Sequence, residues 1–248
     1  MLDAACQVLI LQEQHSAGQE AVRTALPRED VKDIGGQAML ERIHWLGHDA
    51  FRIDGSETIY FDPYELSEGN PTADVILISH DHHDHCSAED VAKIQGDETV
   101  IVTIASAAEK LTGDVRIVEP GDTTQVRGID VEAVPAYNVN KFRNPGEPFH
   151  PKEAGHVGFV VTVDGKRIYH AGDTDFIPEM EELEDIDIAL LPVSGTYVMT
   201  AEEAVQAAAA IQPGVAIPMH VGRGIGSLGA AETFEAKAPV GVVTLEME

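Results

Sequence analysis

Within eight consecutive residues, Ser79-His80-Asp81-His82-His83-Asp84-His85-Cys86, lies the spacing H-x-H-x-D-H, formed by His80, His82, Asp84 and His85. Imidazole and carboxylate are the donors that bind zinc, manganese or iron, and a tight loop must present them together. The competing reading is a solvated, accidental His-rich loop. A purification tag does not fit, because the run is internal and interrupted by aspartates. Cys86 abuts the run, but Asp84 and His85 are the better ligands. His83 falls between ligands and is expected to point away.

The flanking residues say how such a loop is held. Asp74-Val75-Ile76-Leu77-Ile78-Ser79 is a continuous β-branched and apolar run, the pattern of a strand buried on both faces. Ser87-Ala88-Glu89-Asp90 has the character of a helix cap and precedes Val91, Ala92 and Ile94. The histidines therefore sit on a strand-to-helix loop at the carboxyl end of a strand, where α/β proteins place their chemistry. Two later segments repeat an apolar strand followed by a polar residue: Arg167-Ile168-Tyr169-His170-Ala171-Gly172-Asp173, and Ala216-Ile217-Pro218-Met219-His220. Alone, each reads as a turn or a strand end. In this order and company they become specific.

The order H-x-H-x-D-H, then His, then Gly-Asp, then His resembles the metallo-β-lactamase superfamily over residues 42–222. Trp45-Leu46-Gly47-His48, Phe61-Asp62-Pro63, Val134-Pro135-Ala136-Tyr137-Asn138, Tyr169 to Thr174 and Pro218-Met219-His220 bring it nearer to small metal-dependent hydrolases similar to ascorbate-6-phosphate lactonase. The resemblance implies an αββα four-layer sandwich with a dinuclear site on one edge. One metal would be held by His80, His82 and a third histidine, the other by Asp84, His85 and His220, with Asp173 bridging. The third histidine is His150 or His156. His150 precedes the next hairpin, as the family layout requires, whereas His156 reads as a strand-end residue. The insert Asn138 to Gly146 departs from the simplest members.

Two divalent ions, Zn²⁺ first and Mn²⁺ as the alternative, would leave an electropositive centre. A metal-bound hydroxide would then attack a small lactone, ester or phosphoester, the metals would polarise the substrate oxygen, and Asp84 could pass a proton to the leaving group. No Gly-x-Ser-x-Gly elbow offers a competing nucleophile. His48 and Asp62 follow strands and would either line the site or serve as turn residues. Thr196 and Tyr197, after the Ile188 to Val193 strand, could touch substrate or form a polar loop. His170 reads as an orienting or a packing residue, and His44 as a strand residue. The alternatives in function are a phosphodiesterase or nuclease of the same superfamily and a non-catalytic metal-binding module. An iron-dependent oxidoreductase fits less well, because His82 stands where that branch has a carboxylate.

Composition bounds the rest. The chain has 248 residues, enough for one sizeable core. Residues 1–38 are weakly periodic and are expected to be an added arm or an over-called start, and 39–248 the hydrolase domain. Strands alternating with helices make it α/β. Cys6 and Cys86 are too few for a disulfide framework, which fits a reducing cytoplasm. No apolar run reaches the roughly 18 residues of a membrane span, and the N-terminus lacks the features of a signal peptide. Asp and Glu number 43 against 16 Lys and Arg, a formal net charge of −27. Scattered acids of this kind repel nucleic acid and suit a halophilic source, where salt screens the self-repulsion. A small-molecule substrate is the expected partner, and homo-oligomerisation is left open.

Overall fold

The computed structural model describes residues 37–248. The expected arm therefore lies, but for its last two residues, outside the described residues. A short helix α1 (Gln37–Leu40) brings Met39 into the core. The first sheet runs β1 (Ile43–Gly47), β2 (Ala50–Asp54), β3 (Thr58–Phe61), β4 (Ala73–Ile78), β5 (Gln95–Thr103) and β6 (Asp114–Ile117), in that spatial order. Its first three strands form an antiparallel meander and its last four run parallel. Helix α2 (Ala88–Ile94) connects β4 to β5, and α3 (Ala105–Ala108) lies between β5 and β6.

The second sheet repeats the scheme. β7 (Thr123–Val126) and β8 (Ile129–Pro135) are followed by a small ribbon, β9 (Phe142–Asn144) with β10 (Glu147–Pro148). Then come β11 (Val157–Val163), β12 (Lys166–His170), β13 (Ile188–Pro192), β14 (Val215–Met219) and β15 (Gly241–Val242), in the order β15-β14-β13-β12-β11-β8-β7. Again an antiparallel half gives way to a parallel one at β12. Helix α4 (Ala201–Ile211) packs on β13, and α5 (Leu228–Lys237) on β14 and β15.

The sequence explains this layering. Val75 to Ile78 and Ile188 to Leu191 are fully buried, as strands must be when one face meets the other sheet and the other face meets helices. Helix α4 starts on a capping box: the Thr200 hydroxyl accepts from the Glu203 N–H, and the Glu203 carboxylate accepts from the Thr200 N–H. Its alanines bury one face at Ala204, Ala207 and Ala208. The result is an α/β sandwich of four αββα layers. The carboxyl ends of β3, β4, β8, β12, β13 and β14 and the turn between β1 and β2 all supply residues to one edge.

Candidate metal centre

Eight ligand-type side chains converge on that edge, and the backbone there is unusual. His48, Asp62, Tyr197 and His220 all adopt positive φ (53°, 40°, 67° and 58°), a conformation that β-carbon crowding disfavours. Such strain persists where surrounding structure enforces it, which is common at functional sites. Gly172 (φ 62°) answers a tighter demand. A β-carbon there would stand 2.9 Å from the Val157 carbonyl and 3.1 Å from Ser79 Cβ, so only glycine lets β12 turn and aim Asp173 inward.

The first group of donors is His80, His82 and His150. His82 Nδ1 lies 3.0 Å from His80 Nε2 and 3.3 Å from His150 Nε2. Nitrogens about 2.0–2.1 Å from one tetrahedral ion stand roughly 3.3 Å apart, so the spacing fits a cation. His150 stands with His80 and His82, whereas His156 belongs to neither donor group and stacks on His80 at 4.7 Å between ring centres. Burial, then His150 and His82, push its pKa down to about 4.

The second group is His48, Asp49, His85 and His220, whose donor atoms lie within 4.8 Å of one another. Asp173 stands between the groups. Its Oδ1 is 3.3 Å from His85 Nε2 and 3.4 Å from His220 Nε2, and its Oδ2 is 3.2 Å from His150 Nε2. His85 Nε2, His220 Nε2 and Asp173 Oδ1 are nevertheless buried without a hydrogen-bond partner. Buried polar atoms are almost always satisfied, and orphans that face one another form a donor set that could hold a cation. Burial opposes a charge on His85, but Asp173 and Asp62 outweigh it and raise its pKa. Burial likewise opposes ionisation of Asp173, and His85, His220 and His150 overcome it, holding the carboxyl well below its ordinary range.

Outer partners fix the rings. The Ser79 hydroxyl donates to Asp62 Oδ2 (2.6 Å) and so accepts from His80 Nδ1 (2.9 Å). His85 Nδ1 donates to Asp62 Oδ2 (2.8 Å), and Asp62 Oδ1 also takes the Ser79 N–H. His150 Nδ1 donates to Asn138 Oδ1 (3.0 Å), and His220 Nδ1 to Ser194 Oγ (2.8 Å). A proton placed on Nδ1 leaves the Nε2 lone pair facing inward in all four rings.

The remaining candidate residues take different positions around the centre. Asp84 belongs to neither donor group: its Oδ2 lies 3.2 Å from His48 Nε2. Burial would raise its pKa, but His48 and His85 lower it. Thr196 and Tyr197 are exposed on the rim; the Tyr197 ring packs 4.5 Å from Phe149, and its carbonyl accepts from Asn138 Nδ2. His83 points outward, with 86% of its side chain exposed. His170 is a packing residue that also braces the site: it stacks on Phe61 and donates from Nε2 to the Asp49 carbonyl. Asp49, Asn138 and Ser194 went unassigned from sequence. Asp49 had one signal, a carboxylate beside His48 between apolar Leu46 and Ala50.

A fold of two β-sheets with helices outside them and a histidine–aspartate centre on one edge defines a class, and comparison with known proteins gives the same one. Residues 42–220 match the family model described as beta-lactamase superfamily domain. A metal-dependent hydrolase of Thermoplasma volcanium is 34% identical over 195 residues, covering 72% of this chain and 82% of its own. One from Pyrococcus abyssi is 36% identical over 197 residues, covering 72% and 84%. Both carry the family designation UPF0173. A solved structure from Parabacteroides distasonis superposes with a TM-score of 0.72 at 33% identity, over 83% of this chain and 93% of that one. The chain thus belongs to the beta-lactamase superfamily, within the UPF0173 metal-dependent hydrolases. Among the described residues no helix is long and apolar enough to cross a membrane.

Proposed function

We propose that the chain is a dinuclear hydrolase of small lactones, esters or phosphoesters that carry an anionic group, working in the cytoplasm with Zn²⁺, or Mn²⁺ in its place. The observation that carries this reading is Asp173, with one carboxylate oxygen turned toward each donor group. His80, His82 and His150 would hold one cation, and His85 and His220 the other, with Asp84 beside it. Divalent ions there supply Lewis acidity and lower the pKa of water from ~16 toward about 7.

The chain's own residues supply the rest. Asp62, Ser79, Asn138 and Ser194 keep the rings in one tautomer and one orientation, so nothing reorganises during turnover. Asp84, partly exposed at the site and paired with His48 through Oδ2, is placed to take a proton from the attacking water and return it to the leaving oxygen. The rim favours a negative substrate. Among the described residues Arg143 is the one Lys or Arg with no carboxylate within 4.0 Å, and its guanidinium lies 5.5 Å over the Phe149 ring, next to His150.

The test is a panel of sugar-phosphate lactones, acyl lactones, neutral esters and phosphodiesters, assayed in molar KCl with Zn²⁺ or Mn²⁺ beside an Asp173→Asn control. Chelator-sensitive turnover of anionic lactones or esters, lost in the control, is expected. Turnover confined to polymeric phosphodiesters would replace this reading with the nuclease one, and metal-loaded protein inert on the whole panel would end the claim on these substrates.

A further inference from the structure

In a chain this acidic a base without a carboxylate beside it stands out, and Arg143 sits at the rim of the centre. It is the middle residue of β9, and side chains alternate along a strand, so Arg143 and Phe142 face opposite sides of the ribbon. Phe142 is 48% exposed to solvent, whereas the Arg143 guanidinium lies 5.5 Å over the Phe149 ring. A guanidinium on a ring face has its charge partly engaged, while its fork of N–H donors stays open to an incoming oxyanion.

The surface beneath Arg143 is fixed in place. Phe149 packs edge-on against Tyr197, with 4.5 Å between ring centres, and immediately precedes the donor His150. One side chain secures this corner: Asn138 Oδ1 accepts from the His150 N–H and Nδ1, and its Nδ2 donates to the Tyr197 carbonyl. The base of the ribbon is tied down as well. The Val139 and Asn140 N–H groups donate to Asp175 Oδ2 (2.7 and 2.8 Å), and Lys141 Nζ donates to Glu203 Oε2 (2.7 Å). The Phe149 N–H donates to the Lys141 carbonyl (3.1 Å). Arg143 is therefore presented from an ordered arm, against aromatic surface that adjoins a donor histidine.

We propose that Arg143, Phe149 and Tyr197 form a substrate subsite that reads two features at once. The Arg143 guanidinium forks an oxyanion, and the two rings take an apolar or aryl segment that joins this oxyanion to the scissile bond. Arg143 is then a specificity-determining residue. The proposal rests on the hydrolase reading above and narrows it to substrates whose charged end is separated from the ester or lactone by an apolar body. Electrostatics point the same way: a net charge of −27 repels an anion on approach, and a free cation at the rim offsets that within a Debye length.

The test uses full-length, metal-loaded protein at one fixed KCl concentration and two matched esters. Monophenyl adipate ends its acyl chain in a carboxylate, and phenyl hexanoate ends it in a methyl group. Wild type is expected to prefer the adipate through a lower KM at similar kcat. Arg143→Gln is expected to raise KM for the adipate about tenfold or more, as loss of a forked, charge-assisted pair does. Arg143→Lys, which keeps the charge but not the fork, is expected to fall between the two. Metal content equal to wild type in both variants shows that the centre is intact. Calorimetry with phenylbutyrate and phenylbutanol reads binding without turnover: the acid is expected to bind wild type about tenfold more tightly than Arg143→Gln, and the alcohol to show no such difference. Equal affinity of wild type and Arg143→Gln for phenylbutyrate, or an undiminished preference of Arg143→Gln for the adipate, would overturn the subsite. Turnover of neither ester, with the calorimetric contrast intact, would count against the hydrolase reading and still support the subsite.

Discussion

At the scale of single residues, the centre is built twice, once from donors and once from the groups that aim them. Asn138 shows the second role most cleanly, because its Oδ1 accepts from both the His150 backbone N–H and His150 Nδ1, while its Nδ2 donates to the Tyr197 carbonyl. Asn138→Ala frees that ring and should weaken metal binding at the His80–His82–His150 position by about 10- to 100-fold. Chelator competition measures this, and an unchanged affinity would reduce Asn138 to a loop brace. The local spacing His80-x-His82-x-Asp84-His85 announces metal chemistry by itself. It does not announce that Asp84 turns toward His48, or that Asp49 faces the donors from a turn more than 30 positions earlier. Those facts depend on where the β1–β2 turn is carried by the sheet.

At the scale of elements, strand β4, helix α2 and the loop between them must hold their register for the histidines to meet. Asp90, in the first turn of α2, ties this unit to the β3–β4 connection. It accepts from the Glu65 and Leu66 N–H groups (both 2.9 Å) and pairs with Lys93. Burial opposes its ionisation, but the Ser87, Lys93 and backbone hydrogen bonds outweigh this and hold its pKa below the ordinary carboxylate range. A pKa lower in the folded than in the unfolded chain gives stability that is complete above about pH 4 and is lost as pH falls through the folded value. Asp90→Ala should therefore cost ~2 kcal/mol at pH 7 in urea unfolding, and the gap to wild type should narrow by pH 3. A gap independent of pH would mean that the ionised carboxylate is not the cause. Sequence patterning located most of these elements but not all. The Val100 to Ile104 strand begins at Gln95, directly after α2, and the Asn138 to Gly146 insert supplies β9 of the β9–β10 ribbon. β9 is exposed throughout, so it carries no apolar alternation from which to read it.

At the scale of the whole molecule, 43 acids against 16 Lys and Arg must be accommodated on one chain. Nearly every described base is already spent on a carboxylate, so most of the excess negative charge has only salt to screen it. The melting temperature should rise by several degrees or more between ~0.1 and ~2 M KCl, where the Debye length falls from about 10 Å to less than 3 Å. A flat response in a thermal melt would remove the halophilic reading. The two sheets also repeat one scheme, an antiparallel meander running into parallel strands, which the sequence does not display because neither half copies the other residue by residue.

The sequence alone determined the class of chemistry, the α/β layering and most of the ligand-type residues, because donor spacing within one loop and apolar runs of strand length are local properties. Tertiary structure decided everything that depends on distant segments meeting: His150 in the donor set rather than His156, Asp173 between the two groups, Asp62 behind His85, and Asp49 beside His220. Each is a contact across more than 20 positions of chain. It exists because the ends of several strands are brought to one edge by sheet pairing, which the spacing of residues along the chain does not encode.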